Sequence, residues 1–302
     1  MLSIRERAMT TLITRRTALL GPLLAAPAFT FPKAEAQEAA HRAAKARLAD
    51  LERRHGGRLG VAVLDIGSGQ GIEHRAHERF ALCSTFKFLA AALVLARVDR
   101  DEERLDRRVA FSKADLVPWS PVTEKRVGGA GMTMAEICEA AMTLSDNTAG
   151  NLQLASFGGP AGLTAFARAL GDGATRLDRI ETALNEAKPG DPRDTTTPAA
   201  MLENMRRILL GDVLSEASRG QLIAWLVANR TGDKRFRAAL PKDWRIGDKT
   251  GTGGNGAAND IAIIWPPGRE PILVTAYYAE ARASDDQRNA VLAEVGRIAT
   301  RM

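Results

Sequence analysis

The chain has 302 residues, 45% of them hydrophobic and 26% charged, enough for one large domain or two smaller ones with a proper core. That balance argues against a disordered chain and against a membrane-spanning one. Aromatic residues make up only 5%, with no basic stripe interleaved among them, so nothing in the composition points to nucleic acid.

Residues 1–36 read as an export signal. Arg5, Arg7, Arg15 and Arg16 precede the apolar stretch "TALLGPLLAAPAFTF", and Ala34-x-Ala36 places cleavage after Ala36. The pair Arg15-Arg16 raises the twin-arginine route. A membrane anchor fits less well, because the stretch is short for a bilayer and contains two prolines. The segment holds five of the 42 basic residues and two of the 36 acidic ones, so the formal +6 falls to +3 without it. That bias is too weak to argue for a polyanionic partner.

Beyond the signal, "HRAAKARLADLERRHGG" has helical spacing and stops at Gly56-Gly57. The runs "RLGVAVLDI" and "IEHRAHERF" flank "GSGQG" and predict a hairpin. Ser84 to Val98 is apolar on all sides, which predicts a buried helix. Thr133-x-x-Glu136 is a capping box opening "MAEICEAAMTL", and a further helix runs from Pro160 to Leu170, ending at Gly171. From Asp172 to Thr197 there is no regular period, and irregular segments this long inside compact domains are usually functional. Pro198 stands at a first helical position before "AAMLENMRRILLG", and "RGQLIAWLVANR" gives another helix.

The end of the chain changes character. "WRIGDK", "NDIAIIW" and "PILVTAYYA" are strand-like, and "DDQRNAVLAEVGRIATR" closes as an amphipathic helix. Strands at both ends with helices between them predict an α+β fold: an antiparallel five-stranded sheet flanked by helices, plus an all-helical domain. The expected division is residues 37–82 with 228–302 for the sheet domain, and 83–227 for the helical one, including a loop at 175–196.

"GDKTGTGGNG" contains a G-x-G-x-x-G match in Gly251, Gly253 and Gly256. A dinucleotide fingerprint needs a strand before the glycines and a helix after them. Here a strand follows, so the glycines belong to a hairpin.

Three short patterns carry the chemistry. In "STFK", Ser84 and Lys87 share one face at the start of a buried helix. A serine hydroxyl needs a base, and a desolvated lysine amine can supply one, while the helix start leaves N–H groups for a developing oxyanion. "SDN" places Ser145, Asp146 and Asn147 between two helical segments, and "KTG" places Lys249, Thr250 and Gly251 at the end of a strand. Each is weak alone; all three in this order are strong. His41, His55, His74 and His77 all precede Ser84, and there is no G-x-S-x-G and no H-E-x-x-H. Histidine-based and metal-based hydrolysis therefore both lack their residues, and no metal is expected. In the irregular segment, Glu181 and Asn185 stand four apart, where a carboxylate and an amide could hold one water beside an acyl-serine ester.

With these motifs, and with "RLDRIETALNEAKPGDPRDTTTPAAM" similar to the family's omega loop, the sequence resembles the class A serine β-lactamases from about residue 41 to the C-terminus. The resemblance implies hydrolysis of penicillins and cephalosporins through an acyl-enzyme on Ser84, conferring antibiotic resistance, with no cofactor. Lys87 and Glu181 become the proton acceptors, with Asn185 beside the water. Ser145 becomes the donor to the lactam nitrogen, assisted by Lys249. The backbone N–H groups of Ser84 and Thr252 become the oxyanion hole. Asn147, Thr250, Gly251 and Thr252 would bind substrate, and Arg179 with Asp194 would close the omega loop. Trp119, in "LVPWSPVTEK", stands where the family has an aromatic gate.

There are departures. The family's carboxylate-binding arginine on the strand after K-T-G is Ala258 here, and Arg235 in "GDKRFRAALP" is the expected replacement. Cys83 and Cys138 permit one disulfide by count, but both fall in helical segments where buried thiols fit at least as well. The family's usual partners for them are Gly253 and Ala91 here, so the resemblance implies no disulfide. It implies a periplasmic or secreted monomer acting on small β-lactams, without nucleic acid and without stable membrane association once the signal is cleaved. A penicillin-binding DD-peptidase and a non-hydrolysing β-lactam sensor share the nucleophile motifs but do not need Glu181.

Overall fold

A computed structural model describes residues 32–301. Most of the expected export signal lies outside them, and the first helix, α1 (Pro32–His55), begins ahead of the expected cleavage point. Gly56 and Gly57 end α1 at φ +70° and +73°, a region open to glycine at no steric cost. The hairpin follows as β1 (Arg58–Asp65) and β2 (Gly71–His74), in register from Val61↔His74 to Leu64↔Gly71. Its second arm is shorter than the sequence run suggests. Arg75 turns to φ +45°, its guanidinium bound to Glu52 and Glu78, and the chain resumes only as β3 (Phe80–Ala81).

A 3₁₀ turn (Cys83–Thr85) leads into α2 (Phe86–Val98), in which every residue from Phe86 to Ala96 is buried. The expected buried helix is there, with its first turn tightened around Ser84. The small strands β4 (Arg108–Val109) and β5 (Met132–Thr133) pair with each other and precede α3 (Met134–Thr143). Both halves of the Thr133–Glu136 capping box are formed at its start. Then come α4 (Asn147–Ser156) and α5 (Gly159–Ala169), one residue shifted from expectation. The irregular segment contains only a 3₁₀ turn (Ala183–Glu186) and β6 (Thr195–Thr196), which pairs back to β3. Helices α6 (Pro198–Leu210, with Pro198 in its first turn), α7 (Glu216–Val227) and the short α8 (Phe236–Ala239) complete the middle of the chain.

Strands β7 (Arg245–Thr252), β8 (Ala258–Trp265) and β9 (Ile272–Ala279) and the helix α9 (Asp285–Ala299) close it. The sheet order is β2-β1-β9-β8-β7, antiparallel throughout, so the first and last strands of the chain lie side by side at β1 and β9. Alternate residues serve opposite faces. Ile261, Ile263, Leu273 and Tyr277 pack with the helical core, while Val61, Val274, Ala262 and Tyr278 pack in the core that includes residues of α1 and α9. Both faces are covered, which is why β8 and β9 read as continuous apolar runs. At Gly60 the strand passes under the Phe80 ring, where an added Cβ would lie 2.3 Å from a ring carbon. Edge strand β7 is left running alongside the Ser84 turn.

The capping box fixes where α3 begins, and α3 leads into the Ser145 turn. Thr133→Ala removes the side-chain acceptor for Glu136 N and should cost about 1 kcal/mol. The expected readout is a lower urea midpoint at unchanged m-value; an unaltered midpoint would mean that the box contributes nothing.

Candidate active site

Ser84 lies in the 3₁₀ turn and Lys87 one turn further on, so both side chains emerge from one face of the same element. Lys87 Nζ, fully buried, donates to Ser84 Oγ at 3.0 Å, Ser145 O at 2.9 Å and Asn147 Oδ1 at 2.7 Å. Its fourth neighbour is Glu181 Oε1 at 2.8 Å, and that oxygen also accepts from Ser84 Oγ at 3.4 Å. Burial pulls the Lys87 ammonium below its ordinary range, and the Glu181 carboxylate opposes the shift. The stem of Lys87 passes α4 at Gly150, where an added Cβ would sit 2.7 Å from Lys87 Cε.

Ser145 stands between two amines. Its Oγ is 3.5 Å from Lys87 Nζ and accepts from Lys249 Nζ at 3.0 Å; Lys249 also donates to Thr250 O at 2.9 Å. Burial and the neighbouring Lys87 charge push the Lys249 ammonium down to about 7. Asp146, the cap of α4, accepts from Val122 N, Thr123 N, Thr123 Oγ1 and Ala149 N. It thereby ties the loop carrying Trp119 to the turn carrying Ser145. Trp119 O accepts from Asn147 N at 2.9 Å, and the indole, 65% exposed, is held by its N–H to Leu144 O at 3.1 Å. Asn147 Nδ2 donates to Pro118 O at 2.8 Å, leaving its second hydrogen for a ligand.

The omega loop is held at its neck by Arg179 Nε against Asp194 Oδ2 at 2.6 Å, the pair the sequence suggested. Asp194 also accepts from the backbone N–H groups of Asp178 and Arg179, and Arg179 reaches Glu186 as well. Glu181 itself is positioned by a residue that sequence reasoning missed. Asn151 accepts from Glu181 N at 2.8 Å and donates to Glu181 O at 3.0 Å. The available signal was helical spacing, since Asn151 is four residues past Asn147 on α4 and so on the same face. Asn185 Nδ2 donates to Glu181 Oε2 at 2.5 Å, and Asn185 Oδ1 is buried with no hydrogen-bond partner among the described residues.

Along β7, Arg235 donates to Gly251 O at 2.8 Å, Asn259 O at 2.6 Å and Thr252 Oγ1 at 2.7 Å, and through Nε to Asn289 Oδ1 at 2.9 Å. It is therefore built into the end of the K-T-G strand rather than left on the surface. Ala258 faces Thr252 in the register, so the neighbouring strand adds no cation there. Thr250 Oγ1 shares a hydrogen bond with Thr231 Oγ1. Cys83 and Cys138 are buried free thiols, and burial raises each to about 12. Among the described residues, no group of three His, Cys, Asp or Glu could hold a metal ion. Ser84, Lys87, Ser145, Asn147, Glu181, Asn185 and Lys249 thus join in one chain of contacts, with Thr250, Gly251, Thr252 and Arg235 along one side and Trp119 at the rim.

Asp194 has a side chain only 1% exposed, so Arg179→Ala leaves a buried carboxylate without its cation. A loss of ~3–5 kcal/mol is expected, because breaking one partner of a buried pair strands the other. Hydrogen exchange across residues 175–196 should quicken in this variant; unchanged exchange would show that the pair does not hold the loop.

The model of the Beta-lactamase enzyme family matches residues 43–302. Beta-lactamase OXY-1 of Klebsiella oxytoca is 46% identical over 290 residues, covering 95% of this chain and 97% of its own length. Beta-lactamase AST-1 of Nocardia asteroides is 51% identical over 252 residues, 83% of this chain and 81% of its own. Among solved structures, an ancestral (GNCA) class A beta-lactamase superposes with a TM-score of 0.84 at 66% identity, covering 85% of this chain and 98% of that one. A site built around a buried serine–lysine pair and a loop glutamate, on a fold shared with these relatives, places the chain in the Beta-lactamase enzyme family as a class A serine β-lactamase.

Proposed function

We propose that the enzyme opens the β-lactam amide of penicillins and cephalosporins in two steps on Ser84, and so protects its host from these antibiotics. The observation that carries this reading is the convergence of Lys87 Nζ and Glu181 Oε1 on Ser84 Oγ. Ser84 Oγ attacks the lactam carbonyl and gives up its proton to Lys87 or Glu181, both within reach. The carbonyl oxygen takes the negative charge, facing the backbone N–H groups of Ser84 and Thr252; one such donor is typically worth about 10²–10³-fold. As the C–N bond breaks, Ser145 donates its proton to the lactam nitrogen and is resupplied through Lys87 and Lys249, which flank it. A water is then held between Glu181 and Asn185 Oδ1, a buried acceptor with no hydrogen-bond partner among the described residues. Glu181 takes its proton, the hydroxyl attacks the ester, and Ser84 Oγ leaves with a proton restored.

Substrate is held by its carboxylate against Lys249, Thr250 and Arg235, with Gly251 letting it lie close to β7. Asn147 receives the side-chain amide and Trp119 closes the rim. Further parts of this reading rest on the sequence. Residues 1–36 act as an export signal, delivering a monomer to the periplasm or the medium; among the described residues no helix is long and apolar enough to cross a membrane. Residues 37–82 with 228–302 form one domain and 83–227 the other, a division supported by a sheet that draws on both chain ends.

Glu181→Gln keeps the shape and removes the base, so turnover should fall about 10²–10⁴-fold. Intact mass after mixing with excess penicillin should show acyl-enzyme accumulating on Ser84; undiminished turnover would remove Glu181 from its role. A wild-type protein acylated once, without multiple turnovers, would fit the sensor instead.

The pH dependence follows from Lys249. Only its ammonium attracts a substrate carboxylate, and that form is lost as pH rises through about 7. KM should therefore be lowest below pH 7 and climb above it, by up to about tenfold per unit. Lys249→Arg, which stays charged, should flatten the climb. A KM independent of pH between 6 and 9 in the wild type would contradict the assignment.

A further inference from the structure

The omega loop, β3 and the ends of β1 and β9 enclose a second cleft, of about 300 Å³, which shares only Arg179 with the site around Ser84. Phe80 and Ala81 of β3 line it on one side, and loop residues 187–193 on the other. Five basic side chains border it, and pairing separates two of them from the rest. Arg58 is bound to Glu78 and Glu280, Arg193 to Asp191, and Arg179 to Asp194 and Glu186. Arg79 donates only to neutral oxygens, Ala174 O at 2.7 Å and Thr195 Oγ1 at 3.0 Å. The Lys188 side chain makes no ion pair or hydrogen bond among the described residues, and its carbonyl accepts from Asp191 N at 3.1 Å. Two cations without a carboxylate therefore face one cleft, one from the body of the protein and one from the loop.

We infer that this cleft binds a small doubly charged oxyanion of the inorganic phosphate type, bridging Arg79 and Lys188. Arg79 and Lys188 are the two basic side chains there without a carboxylate, and guanidinium and ammonium groups are suited to tetrahedral oxyanions. The volume leaves room for the anion with bridging waters. Position gives the site its consequence. Ala174 and Thr195, the two acceptors of Arg79, lie on opposite arms of the loop at its neck, where Arg176 and Thr195 form a β-bridge. Lys188 stands on the outer turn, just past the 3₁₀ segment containing Asn185. A bridging anion would tie the outer turn to the neck and restrain the loop that carries Glu181. Both cations are exposed, so binding should be weak and salt-sensitive, with Kd on the order of millimolar. An effect on deacylation rests on the role of Glu181 proposed above; the binding does not.

The test titrates the full enzyme with inorganic phosphate at constant ionic strength, made up with sodium chloride. Thermal midpoint and hydrogen exchange across residues 183–193 are followed, with wild type beside Lys188→Ala. The expected result is a midpoint that rises with phosphate and slower exchange of those amides in the wild type. In Lys188→Ala both should need at least about fivefold more phosphate, the loss of one exposed charge contact. Phosphate held at Lys249 and Arg235 would instead appear as competitive inhibition, indifferent to Lys188. Equal responses of the two proteins, or no protection of residues 183–193, would overturn the inference. Arg79→Lys, which keeps the charge, should bind more tightly than Arg79→Ala; equal binding by the two would count against the bridge.

Discussion

The site depends on one buried ammonium. Lys87 Nζ has no contact with solvent, yet it touches Ser84, Ser145, Asn147 and Glu181 at once. Taking a lysine out of water costs several kcal/mol even after relaxation, and only dense polar contact offsets it. Each of those contacts comes from a different part of the fold: the turn before α2, the turn before α4, α4 itself, and the omega loop. The polar requirement of one side chain therefore dictates how four segments must meet. Burial also pulls that ammonium below its ordinary range, with the Glu181 carboxylate opposing the shift.

The supporting residues serve the same end. Asp146 collects four donors and ties the Trp119 loop to the Ser145 turn, while Asn151 grips Glu181 by both backbone groups. Arg179 and Asp194 close the loop at its neck. The omega loop has little regular structure of its own, so side chains and backbone amides satisfy what a helix or strand would otherwise satisfy internally. A carboxylate aimed from such a loop needs this kind of support, because small displacements at a reacting centre cost rate steeply.

At the other side of the site, Lys249 is a second buried cation, and the Lys87 charge adds to burial in pushing it down. Arg235 completes a cationic strip but is anchored to Gly251 O, Asn259 O, Thr252 and Asn289, so its place is set by the strand ends rather than by any ligand.

What the sequence by itself determined is the local geometry and the chemical identity of the groups. Ser84 with Lys87, Thr133 with Glu136, and Glu181 with Asn185 sit three or four residues apart, within one turn of chain, where spacing alone fixes how side chains meet. The strands were legible because both faces of the sheet are buried, and Pro198 and Gly56-Gly57 marked helix ends through their own backbone limits. Tertiary structure decided everything that joins distant segments. Spacing puts Asn151 on the face of Asn147 but not against Glu181, and no spacing rule shows that Arg75 breaks the second arm of the hairpin or that β3 pairs with β6. Nor does it show that Arg235 is buried in the strand ends, or that Lys249 is pushed down to about 7. Those properties depend on desolvation and on charges brought close by folding, and neither quantity exists until the chain has packed.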